Sequence, residues 1–147
     1  RDLHSFPTRR SSDLLVMARM TFSGTDEMLD QLFRESERLE RKATEMLGSA
    51  GKVVVEAWKD VITEHGHVKT GDMRDSVRAS AVKKSGDAYT SSIYPHGRDR
   101  RKQSNAEKAF VLHYGTSRIH GDHFVDDAEQ RAGDAAEQAM QDIWNSD

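Results

Sequence analysis

The chain has 147 residues, enough for one domain of common size with a core of its own. Its 22 Lys and Arg stand against 25 Asp and Glu, net −3, a balance that excludes a general polyanion binder. Cysteine is absent, which removes disulfide and thiolate–metal frameworks, and no apolar run approaches the ~18–20 residues of a membrane-spanning helix.

Residues 1–16, RDLHSFPTRRSSDLLV, precede the first methionine, Met17, and follow neither a helical nor a strand period. A signal peptide needs an apolar run of roughly 7–15 residues, and only Leu14, Leu15 and Val16 are at hand. Residues 1–14 resemble one reading frame of a common short-read sequencing adapter. We therefore expect 1–16 to be a non-native, disordered leader and 17–147 a single domain, starting at Met17 or Met20. Without the leader's three arginines and two aspartates the net charge is −4.

Thr25 is placed to cap a helix, with Asp26 and Glu27 in the first turn where the helix dipole favours carboxylates. Apolar residues then recur at helical spacing: Met28, Leu29, Leu32, Phe33, Leu39, Ala43, Met46 and Leu47, then Ala50, Val53, Val54, Ala57, Trp58, Val61 and Ile62. The stripe keeps phase across Gly48 and Gly51. This allows two helices in a hairpin or one long helix bent at the glycines; the pattern favours a short first helix and a long second one ending at Gly66. Thr70 offers a cap for a brief helical turn. SVRASAVKK and AYTSSIYP read as two strands joined by a glycine turn, and Pro95 ends the second because proline cannot donate to the ladder. HGRDRRKQSN, residues 96–105, is a polar loop expected to be solvated and flexible, ordering on assembly. Asn105 can cap a short helix through Ala106, Phe110 and Tyr114, with Gly115 just past its end. From Phe124 a last helix places Val125, Ala128, Ala132, Ala135, Ala136, Ala139, Met140, Ile143 and Trp144 on one face, small enough to pack closely on a neighbour. The expected fold is α+β, with amphipathic helices on one side of a small antiparallel sheet containing a hairpin.

Residues 113–124, HYGTSRIHGDHF, hold the residue types of metal sites and nucleophilic triads. His120, Asp122 and His123 are the candidate ligands, with His65 and His67 as a second pair. The segment has no helical framework of the HExxH kind, and no GxSxG elbow precedes a helix. These histidines therefore read as surface loop residues, and no metal or cofactor is expected. Arg98, Arg100, Arg101 and Lys102 could face a partner or DNA. Four phosphate contacts would give a log–log salt slope near −4, at about −0.9 each, which is weak nonspecific binding. No glycine-rich phosphate loop is present. Trp58 and Trp144 fall at helical spacing among aliphatics and read as core or subunit-contact residues.

The order of three segments carries more than any one of them: a helix before HVKTGDMRDSV, a hairpin ending in IYPHG, and AFVLHYGTSRIHGDHFVDDA leading into the last helix. This arrangement resembles the siphophage tail-component family of head–tail joining, or tail-completion, proteins. That family's pattern is a proline- or valine-led TGxLRxS, a hairpin, YxEYGTSxM, a basic spacer, and PF opening a helix. Thr70, Gly71, Arg74 and Ser76 match the first motif, with Met73 in the leucine place. Tyr114, Gly115, Thr116 and Ser117 match the second, with Ile119 for its methionine and Phe124 for its phenylalanine. His113 departs from the usual glutamate, Asp122 and His123 from arginine and proline, and Asp126 and Asp127 from a basic residue and proline. The likeness extends over nearly all of residues 20–147.

The resemblance implies a structural virion protein with no catalytic duty. It would form a homo-oligomeric ring, of six, between the portal connector and the tail tube or tail terminator, assembled in the host cytoplasm. DNA in the lumen would be touched only passively, and no membrane is involved. Under this reading Tyr114 packs as the last apolar residue of its helix, Gly115 turns the chain, Thr116 and Ser117 bond turn backbone, and Phe124 anchors the return. Arg118 is expected to reach a carboxylate on its own or a neighbouring subunit. The competing readings are a metal-dependent hydrolase built on His120, Asp122 and His123, and a DNA-binding module built on residues 98–102.

Overall fold

The computed structural model describes residues 37–86 and 88–146. The leader, the Thr25 cap and the expected first helix as far as Phe33 lie outside the described residues, while its apolar positions from Leu39 to Leu47 belong to the helix described next. Helix α1, Glu37–Glu64, runs unbroken through Gly48 and Gly51, so neither glycine marks a break. An interior glycine costs a helix about 1 kcal/mol relative to alanine but leaves its hydrogen bonds intact. The buried stripe of Ala43, Met46, Ala50, Val54, Ala57, Trp58, Val61 and Ile62 outweighs that cost. Gly51 has a packing reason: a Cβ there would lie 3.2 Å from the Cβ of Ala79 on the adjoining strand.

Helix α1 ends in a Schellman turn. Gly66 takes φ 73°, its N–H donates to the Thr63 carbonyl at 3.0 Å, and the N–H of His67 donates to the Ile62 carbonyl at 2.9 Å. A one-turn helix α2, Asp72–Asp75, follows, entered through Gly71 at φ 82° and plugged into the core by Met73. Gly71 is the cap position. Thr70, expected there, instead donates its hydroxyl to Asp72 Oδ2 at 2.9 Å, because the left-handed entry turns its side chain away from the helix amides.

The expected two-strand hairpin is divided into four short strands: β1 Val77–Ala79, β2 Lys83–Ser85, β3 Ala88–Thr90 and β4 Ile93–Pro95. β1 pairs with β4 from Val77↔Pro95 to Ala79↔Ile93, and β2 with β3 from Lys83↔Thr90 to Ser85↔Ala88, both antiparallel. Residues 80–82 on one arm oppose only 91–92 on the other, so the register slips by one. Serines fill the gap. Ser91 Oγ donates to the Ser80 carbonyl at 2.8 Å, and Ser80 Oγ accepts the Ser92 N–H at 2.9 Å.

Helix α3, Asn105–Tyr114, is capped by Ser104 rather than Asn105. Asn105 is buried and donates its amide to Ser76 Oγ at 3.1 Å and to the His96 carbonyl at 2.8 Å. Helix α4, Phe124–Asn145, lies antiparallel along α1, with Arg131 clasping Glu64 near one end and Lys42 donating to the Ser146 carbonyl at the other. Its inward ridge of Ala128, Ala132 and Ala136 lets the two helices approach closely. Phe124, fully buried, meets Trp58 edge to face at 5.7 Å between ring centres. Trp144 is half-buried at the far end, beneath the Lys42 ammonium. The fold is α+β as expected, with α1 central, α4 on one flank and the hairpin on the other.

Candidate functional site

The segment after α3 closes on itself. Gly115, at φ 80°, bridges to His120, and the N–H groups of Asp122 and His123 donate to the carbonyls of Leu112 and His113 at 3.1 Å. A Cβ on Gly115 or Gly121 would fall on backbone atoms of the opposite arm, so both positions require glycine. Thr116 ties the tip: its Oγ1 accepts the N–H of Arg118 at 3.2 Å and of Ile119 at 3.1 Å. Ser117 adds no side-chain hydrogen bond among the described residues. Tyr114 does not pack inward. It is 49% exposed, and His113, one residue earlier and therefore a helical step of about 100° away, takes the buried place. Arg118 makes no ion pair among the described residues.

His120, Asp122 and His123 do not converge, which removes the constellation on which the hydrolase reading rested. The left-handed backbone of His123, φ 55°, sends Asp122 and His123 to different neighbours. Asp122 Oδ2 receives His65 Nδ1–H at 2.9 Å and His67 Nε2–H at 2.5 Å, while its Oδ1 accepts the Phe124 N–H at 3.2 Å. The other nitrogen of His65 donates to Asp127 Oδ2 at 2.9 Å. His123 instead lies 3.8 Å from Asp126, whose other oxygen is 3.9 Å from His113 Nε2. His120 belongs to neither group.

The electrostatics follow from these contacts. The hydrogen bond to Asp122 holds His65 above its ordinary pKa, against the opposing effect of burial. Burial works against ionisation of Asp122, but the hydrogen bonds from His65 and His67 outweigh it and keep the carboxyl below its usual range. Burial pushes His113 down. His65 and His67, read from sequence as loop residues, are thus half-buried and paired. The signal in the sequence was the HGH triplet at a helix end, where a glycine turn places both flanking residues on one side.

The first motif is equally structural. Gly71 supplies the turn, and Ser76 Oγ donates to the Met73 carbonyl at 2.9 Å while accepting the Asn105 amide. Arg74 donates to Asp75 Oδ1 at 2.7 Å on the surface. Residues 96–105 carry a network of internal hydrogen bonds centred on Asp99. Its carboxylate accepts the N–H groups of Arg101 and Gln103 at 2.8 Å and pairs with the Lys108 ammonium on α3. The N–H of Asn105 closes the loop on the Gly97 carbonyl at 3.1 Å, and Arg98 Nη1 donates to the Lys102 carbonyl at 2.8 Å. Arg100, 83% exposed, lies 4.0 Å from Asp72. A groove of about 670 Å³ between α2 and α3 is walled by Met73, Val111, Leu112 and Ile119, with Asp99 and Lys108 at its polar rim.

Chemically, these side chains hold backbone and one another in place. The arrangement is that of a small α+β domain in which Gly71, Ser76, Gly115, Thr116 and Phe124 are held in its turns and core, while Tyr114, Ser117 and Arg118 are not. A family model described as "Bacteriophage HK97-gp10, putative tail-component" matches residues 26–113, more than half of the 147. The chain belongs to this HK97-gp10-like family of bacteriophage tail components. The match takes in Thr70, Gly71, Arg74 and Ser76 and ends just before Tyr114, a shorter span than the resemblance suggested. No curated protein and no solved structure matches the chain. Among the described residues, no helix is long and apolar enough to cross a membrane.

Proposed function

We propose that this tail component acts at the head–tail interface of the virion, as a homo-oligomeric ring of six between the portal connector and the tail tube, without a catalytic step. The observation that carries the reading is the family match over residues 26–113. The surface adds to it: Tyr114 and Ile119 are exposed and Arg118 lies next to Ile119 in the chain, residue types suited to a neighbouring subunit that offers an apolar rim and a carboxylate. Obligate ring interfaces commonly bury more than about 2,000 Å². The outward basic side chains of Arg98, Arg100, Arg101 and Lys102 would line the lumen or meet the connector.

The test is genetic and structural. A phage or prophage carrying a nonsense mutation in this gene should release filled heads and separate tails, restored to joined particles by the gene in trans. Normal joined virions without the protein would reject the reading. On the purified protein, Arg118→Ala should weaken assembly, and an unchanged oligomer with an unchanged Tm would remove the role given to that residue. A gel shift at low salt, with and without residues 98–102, tests passive DNA contact.

A further inference from the structure

We propose that His65, His67 and Asp122 bind one divalent transition ion, of the Zn²⁺ or Ni²⁺ type, which fastens the C-terminal end of α1 to the entry of α4. The three donor atoms lie within 4.8 Å of one another. Their convergence is built by the fold, since the Schellman turn at Gly66 sets His65 and His67 side by side and the closed bend brings Asp122 from 55 residues further along.

The surrounding contacts are those of a ligand set. Asp127 takes the Nε2–H of His65, which leaves Nδ1 as the coordinating nitrogen; a carboxylate behind a ligating imidazole fixes tautomer and ring orientation. The Phe124 N–H holds Asp122 Oδ1 and leaves Oδ2 aimed at the two rings. Metal bonds of about 2.0–2.2 Å at near-tetrahedral angles require donors roughly 3.3 Å apart. The present separations of 2.9 and 2.5 Å therefore open by less than about 1 Å. Two imidazoles and one carboxylate suit a borderline ion rather than Ca²⁺ or Mg²⁺, which prefer oxygen. The side chains of His65, His67 and Asp122 are 24, 16 and 31% exposed, so water reaches the remaining coordination positions.

In the metal-free form, protons on His65 Nδ1 and His67 Nε2 occupy the ion's place by bonding to Asp122. On binding, the Nδ1 proton of His65 leaves to solvent and the proton of His67 moves from Nε2 to Nδ1, so that both rings coordinate as neutral imidazoles, and two metal–nitrogen bonds and one metal–oxygen bond form. The second group, His113, His123 and Asp126, lacks such an arrangement. The Val125 N–H donates to His113 Nδ1 at 3.3 Å, so the neutral ring carries its proton on Nε2, the atom facing Asp126. That nitrogen has no lone pair to offer.

The experiment uses the full chain, free of any affinity tag and treated with chelator, titrated with ZnCl₂ at pH 7.5 by calorimetry and followed by long-range ¹H–¹⁵N spectra of the imidazoles. One equivalent should bind, the thermal midpoint should rise, and the ¹⁵N signals of His65 Nδ1 and His67 Nε2 should move. Asp122→Asn and His67→Gln should abolish stoichiometric binding, Asp127→Asn should weaken it by about tenfold, and His120→Gln should leave it unchanged. Absence of binding, retention of full affinity in His67→Gln, or ¹⁵N shifts at His113, His120 or His123 instead would overturn the site. Should a variant fail to fold, the imidazole shifts of the unaltered protein decide the matter alone.

Discussion

Truncation of Phe124 to alanine tests the central packing claim, that the return of the chain after the glycine bend is anchored in the core. The side chain has no exposed surface, sits between α1 and α3, and meets Trp58 edge to face. Removing a wholly buried phenyl group forfeits about 2–3 kcal/mol of transfer free energy. The cavity left behind and the lost aromatic contact bring the expected cost to about 3–5 kcal/mol. At a urea slope of about 1.5 kcal/mol per M, a 4 kcal/mol loss moves the unfolding midpoint down by about 2.5 M. Domains of this size hold about 5–15 kcal/mol in total, so Phe124→Ala leaves a marginal fold. Phe124→Leu keeps most of the volume and should cost only about 1–2 kcal/mol. The assay is equilibrium urea unfolding followed by tryptophan fluorescence, where Trp58 should also shift to the red in the alanine variant. A loss below about 1 kcal/mol for Phe124→Ala would refute the anchoring role.

Gly48 lies inside α1 with nothing within 4 Å of the place an alanine methyl group would take, so Gly48→Ala should stabilise the protein by about 0.5–1 kcal/mol in thermal or urea unfolding. Gly121→Ala should do the opposite, costing roughly 3 kcal/mol or more or preventing folding, because its methyl group would overlap the backbone at His113 to Gly115; circular dichroism and expression yield report it. His113 gives a pH dependence. Burial holds its folded pKa below the unfolded value near 6.5, so its contribution is intact above about pH 6.5 and is lost as pH falls through the folded value. Protonation of Nδ1 would also break the bond from the Val125 N–H. His113→Asn should therefore flatten the decline in stability as pH falls below about 6.5, measured by urea midpoints on either side of that value.

Local chemistry made several parts of the molecule legible in advance. The stripe from Ala43 to Ile62 and the ridge of Val125, Ala128, Ala132, Ala136 and Met140 follow the helical period and are buried, whereas Ala135, expected on the same face, is exposed because it falls to the side of that ridge. Phe124 reads as an anchor, Gly115 as a turn of the chain, and Gly86 as part of the hairpin turn. Caps were read less well. Thr70 and Asn105 each have the right chemistry, but Gly71 and Ser104 hold the positions from which the helices start. The loop at 96–105 reads as solvated because its charges cluster in sequence, whereas its internal hydrogen bonds to Asp99 and the pairing of Asp99 with Lys108 do not show there.

The sequence by itself determined the helices, the glycine turns, the α+β class and the family motif, because each rests on neighbours within a few residues. Only the tertiary structure decided which histidine meets which carboxylate. Asp122 and His123 are adjacent along the chain, yet one joins His65 and His67 and the other turns toward Asp126 and His113. That division comes from the packing of α4 on α1 and from the left-handed backbone at His123. Both depend on contacts far apart along the chain, which no local pattern encodes.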